Sequence, residues 1–173
     1  MASKQRSEAL SQWIAASRPY LPGRGPRPAG DDEVHRIAGL APAFTDPDAW
    51  RDNAAWLAGV DLYRAGFFWE AHEVWEPVWM NARPNSRERI LTQAMIQLTN
   101  AALKQQLQRH GAAARLAEIS SGLLADIASP QVAAMGVVPA TMVQSVADYA
   151  KALRRGEHNA PRPPIQLASL IVD

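Results

Sequence analysis

Apolar and polar positions recur along this chain at helical spacing, and no stretch alternates as a strand bounded by hairpin turns would. Residues 7–17 carry Leu10, Trp13 and Ile14 on one side of a short helix, and residues 31–40 fit one or two further turns opened by acids. Thr45-Asp46-Pro47 has the chemistry of a helix start, a capping side chain followed by a first-turn proline. The helix expected from there to Ala65 puts Trp50, Ala54, Leu57 and Asp61 along one side and Trp56, Val60 and Tyr63 along another. Gly66 supplies the left-handed residue that ends it, so a tight hairpin should lead into the next helix. Asn85 or Ser86 can cap a long helix from Arg87 to about Arg109. A simple apolar stripe of Leu116, Ile119, Leu123, Leu124 and Ile127 marks residues 112–128. Pro139 opens a last helix that reaches about Arg155.

The expected architecture is all-α, a single-domain bundle of about five helices with an N-terminal extension and a C-terminal apolar strap. The extension is residues 1–44, the bundle 45–156 and the strap 157–173. Between Arg18 and Gly30 lie four prolines, three glycines and three arginines, a composition that predicts an extended, mobile linker. The strap, with Ile165, Leu167, Leu170, Ile171 and Val172, is too apolar to stay in water and is expected against the bundle or a partner.

Composition narrows the class further. The 173 residues suffice for one core without staples, and the absence of cysteine removes disulfides, thiolate zinc sites and cysteine nucleophiles. No apolar run approaches the roughly 20 residues of a membrane span, and residues 1–18 lack a signal-peptide core, so a soluble cytoplasmic protein is expected. A net charge of +1 gives no long-range attraction to nucleic acid or acidic membranes. The linker arginines are read as solvated spacer charge rather than as phosphate contacts. A homo-oligomer or a protein partner is the remaining expectation for association.

Chemistry concentrates in residues 66–79, which hold five aromatics, three glutamates and one histidine. At about 100° per residue, Phe68, His72, Trp75 and Trp79 share one side, with Glu76 about 40° from His72. Phe67, Ala71, Val74 and Val78 form a second apolar side, which leaves mainly Glu70, Glu73 and Met80 for the rest. Pro77 cannot donate to the Glu73 carbonyl, so a kink or break is expected there. On the following helix Gln93, Gln97, Asn100 and Lys104 fall within about 60° of one another, flanked by apolar residues on both sides.

The run from Leu62 through Gly66-Phe67-Phe68-Trp69-Glu70-Ala71-His72-Glu73 to Glu76 and Trp79 resembles the signature of the domain of unknown function 309 family. Leu91-Thr92-Gln93-Ala94-Met95-Ile96-Gln97 resembles that family's second block, with Ala94 in place of glycine. Arg64 and Pro77 depart from its usual residues. The resemblance spans about residues 55–155, implies a small all-helical fold and implies no established activity. It also carries Gln93 and Gln97 over as residues facing the signature helix.

Two functions of different class follow. In the first, His72, Glu76, Trp79, Gln93 and Gln97 form a polar cluster between two helices that is structural, or binds a small ligand or partner, in a protein without catalysis and without a cofactor. In the second, His72 and Glu76 act as metal ligands or as general base and acid of a hydrolase, with Glu73 in support. A divalent metal on His72 and Glu76 is the lesser alternative, since it needs a third ligand such as Asp61 or His35. The string around His72 lacks the second histidine of the zinc-protease helix, and Trp69 stands where a di-iron bundle would need a glutamate.

Overall fold

The computed structural model describes residues 2–27 and 32–168, with side chains from residue 8 onward. Among them are seven α-helices: α1 (Ala2–Ala16), α2 (Glu33–Ala38), α3 (Ala54–Arg64), α4 (Phe68–Met80), α5 (Arg87–Gln106), α6 (His110–Asp126) and α7 (Val143–Arg154). The all-α bundle stands, but the expected count of about five does not. α1 and α2 lie in the stretch assigned to the extension, and both join the bundle, α1 against α3 and α2 against α3 and α4. The last three residues of the expected strap core, Leu170, Ile171 and Val172, lie outside the described residues.

From α3 onward each helix packs on its neighbour in sequence, as short connections require. The α3–α4 hairpin is set by Gly66, at φ +85°, which lets the Phe67 amide reach Leu62 O and its own amide reach Tyr63 O. Ser86 caps α5 by accepting from the Arg89 amide. The start of α3 differs from the expected one. Thr45 does not cap it, because its hydroxyl donates to Val78 O and its amide to Asn81 O at the far end of α4. The backbone instead passes through a 3₁₀ turn at Trp50–Asp52, and Asn53 caps α3 by accepting from the Trp56 amide.

The core centres on two fully buried indoles, Trp56 of α3 and Trp75 of α4, with centroids 5.7 Å apart. Trp75 Nε1 donates to Trp56 O at 3.1 Å and Trp56 Nε1 to Met135 O at 3.0 Å, so both polar handles are satisfied inside the core. Close approach of α3 and α4 depends on Gly59, where a methyl group would overlap the Trp75 indole. α4 continues through Pro77 to Met80 without the expected break.

Residues 157–168 cross the bundle without regular structure. Ile165 is buried, Tyr63 Oη donates to Pro163 O at 2.8 Å, and Gln105 Nε2 donates to His158 O and Ala160 O at 3.2 and 2.9 Å. No helix among the described residues is long and apolar enough to cross a membrane.

Candidate functional site

The position of α4 decides which of its side chains reach the surface. Packing against α2, α3 and α5 buries Phe68, Ala71, Val74, Trp75 and Val78, the two apolar sides of its helical projection. The remaining arc holds Trp69, Glu73, Glu76 and Met80, with His72 at its edge toward α5. Glu76 is exposed, and His72 and Glu73 are half-buried.

His72 does not bond Glu76. Its Nδ1 lies 2.8 Å from Asn100 Oδ1 on α5. A carbonyl oxygen accepts, so in this contact Nδ1 is the donor and the ring is held by α5. Ligand atoms of His72, Glu73 and Glu76 lie within 4.8 Å of one another. Glu73, on the same helix, is thus the third residue of the group. Neither Asp61 nor His35 joins the group. Asp61 lies 3.6 Å from Arg64, and His35 sits on the Asp32 carboxylate at 3.0 Å.

The α5 side is a polar seam. Besides Asn100, the Thr99 hydroxyl donates to Phe68 O, and Arg89 Nη1 donates to Trp79 O and Ala82 O. These contacts fix an antiparallel register that brings Gln97 and Gln93 alongside the Glu73–Trp79 stretch. Both glutamines are half-buried, and neither side chain has a hydrogen-bond partner among the described residues. Trp79 is half-buried under the Arg89 guanidinium, 4.4 Å above its ring, and its Nε1 is enclosed without a partner among the described residues.

The arginine-rich segment between α1 and α2 was expected to be mobile, but its described part is docked on the amino-terminal half of α4. The Tyr20 amide donates to Glu70 Oε1 at 2.7 Å and its ring meets Trp69 edge-on at 4.9 Å. Arg27 lies 5.6 Å over the Trp69 ring and 3.9 Å from the Glu73 carboxylate. This cover buries Glu70, leaves its Oε2 without a partner among the described residues and pushes its carboxyl above the ordinary range, with burial the leading cause. Asn100 stood in the amide stripe, but the partners expected for His72 were Glu76, Gln93 or Gln97, and Asn100 takes that place instead. Tyr20 and Arg27 were not readable as neighbours of α4, since nothing in a Pro/Gly/Arg-rich sequence marks where it will dock.

No curated protein and no solved structure matches the chain. A family model does match, over residues 56–116, from α3 into α6, the span that contains α4, the α5 seam and every residue of the His72 group. Over that segment the chain is similar to the family described as Domain of unknown function (DUF309).

Proposed function

We propose that the protein is a non-enzymatic helical module that holds a small cation, a divalent metal ion in the simplest case, on the α4 face formed by His72, Glu73 and Glu76. One observation carries this reading: Asn100 holds the His72 ring through Nδ1, and ligand atoms of His72, Glu73 and Glu76 converge within 4.8 Å of one another. A histidine whose far nitrogen is fixed by a neighbouring carbonyl is the arrangement that orients an imidazole for metal. A purely structural lock is less well supported, because buried partners would be needed to make it and Glu76 is exposed. The hydrolase alternative is also less well supported, since neither the recess beside Leu10 and Leu57 nor the one beside Tyr63 and Arg162 is lined by His72, Glu73 or Glu76. Association with a second copy or another protein is compatible with the same reading, with Phe44 and Met80 exposed near the carboxyl end of α4.

Calorimetric titration of tag-free protein with Zn²⁺ and Mn²⁺ tests the proposal, together with elemental analysis of the purified chain. One ion per chain is expected, with affinity falling at least about tenfold in both His72→Ala and Glu76→Gln. No binding, or binding unchanged in both variants, would overturn it.

A further inference from the structure

A second recess is built from elements that take no part in the His72 face. α1, α2, the turn at Trp50–Asp52, α3 and Leu167 enclose a cavity of about 170 Å³. Its walls include Leu10, Ile37, Leu57, Ala58 and Leu167. An apolar cavity of about 150 Å³ holds benzene, so this one has room for a single ring or a branched four-carbon side chain. Leu40 also lines it, and it is 40% exposed although apolar.

Four ionic residues complete the lining, and two of them are already committed. Arg36 forks onto Glu33, at 2.7 and 2.5 Å. Asp61 lies 3.6 Å from Arg64, and burial raises its carboxyl above the ordinary range. The other two are adjacent in sequence and opposite in sign. Arg51 Cζ lies over the Trp50 ring, 4.3 Å from its centroid, and Arg51 has no carboxylate partner among the described residues. The Asp52 carboxylate has no partner among them either, and both side chains are exposed.

We propose that this cavity binds a free α-amino acid with an apolar side chain. The side chain enters between Leu10, Ile37 and Leu57, the carboxylate pairs with the Arg51 guanidinium, and the ammonium pairs with the Asp52 carboxylate. A ligand carrying one charge would satisfy only one of these two groups, whereas an amino acid presents both charges on a single carbon. Arginine suits the carboxylate end because its planar fork matches that group in two parallel hydrogen bonds. The site shares no lining residue with the cation face and stands independently of it.

The test uses the full chain, calorimetry and amide chemical-shift mapping, with L-phenylalanine and L-leucine as ligands. Controls are 3-phenylpropanoate (no ammonium), phenethylamine (no carboxylate) and glycine (no apolar body). Both amino acids should bind one to one and shift the amides of Leu57 and Ala58. Each one-charge analogue should bind at least about tenfold more weakly, since a charge-assisted pair is lost, and glycine should not bind. Arg51→Met should erase the advantage of phenylalanine over phenethylamine, and Asp52→Asn its advantage over 3-phenylpropanoate. Both residues are exposed, so both variants should melt as the parent does. Shifts mapping elsewhere, no binding at millimolar concentration, or affinities unchanged in both variants would each overturn the proposal.

Discussion

Glu70 is the residue whose surroundings oppose its chemistry most directly. It sits one turn before Val74 on a buried part of α4, with one carboxyl oxygen taken by the Tyr20 amide and the other unpartnered among the described residues. Burial raises its carboxyl, and the negative charges of Asp32 and Glu73 push in the same direction against the backbone donors. A carboxyl with a raised folded-state value binds its proton more tightly in the fold than in the unfolded chain. Its contribution is therefore fully present below the unfolded carboxylate range and is lost as pH climbs through the folded value. Glu70→Gln removes that dependence and still offers an oxygen to the Tyr20 amide. At pH 8 the variant should melt higher, by on the order of 1 kcal/mol, and the advantage should vanish near pH 4. Paired melting curves across that range check it, and a variant that melts lower at pH 8 would show that the carboxylate is stabilised in a way the burial argument omits.

Among the elements, α4 shows how far local sequence reaches and where it stops. Its start was legible, because the positive φ at Gly66 is a backbone demand that few residues other than glycine meet. So was its burial, from apolar residues over most of the circumference. What decides its far end is tertiary. Past Pro77 the helix runs to Met80 with the Glu73 carbonyl deprived of its N–H, and Arg89 of α5 gathers the terminal carbonyls of Trp79, Met80 and Ala82 while covering the Trp79 ring. The same tertiary override moved the start of α3 from Thr45 to Ala54, because Thr45 was needed at Val78 O. It also turned Glu70 from a surface residue into a buried one, since periodicity on α4 cannot register what the Tyr20 segment will cover. His72, Glu73 and Glu76 were legible as a group from helical spacing, but the partner of His72 required the α4–α5 register. Arg89→Met keeps the aliphatic stem and removes the guanidinium. The α4 terminus should then fray, at a cost of about 1–2 kcal/mol. Urea unfolding gives the energy, and a changed Trp79 fluorescence localises it.

At the scale of the whole molecule, three parts that are far apart in sequence meet at one amide. Gln105 of α5 is buried, accepts from Tyr149 Oη of α7 at 2.9 Å and donates to His158 O and Ala160 O of the crossing segment. Burial pushes the Tyr149 phenol up to about 12, so at neutral pH it stays a hydrogen-bond donor. No apolar side chain can replace this hub. Gln105→Leu would fit the volume, yet it would leave a buried hydroxyl without an acceptor and two carbonyls without their donor. Each unsatisfied group costs about 1–3 kcal/mol when water cannot reach it. The two carbonyls belong to a segment with no helix to hold it, so water should reach them by local opening, while the Tyr149 hydroxyl stays enclosed at the α5–α7 junction. Gln105→Leu is therefore expected to lower global stability by about 2 kcal/mol and to release the crossing segment separately. Hydrogen exchange reads the two effects apart: the Ala168 amide, which donates to Gly136 O at 2.7 Å, should lose protection well before the amides of α5 and α7. If its protection falls only in step with theirs, the segment and the bundle open as one unit, and Gln105 joins them with no point of separate release.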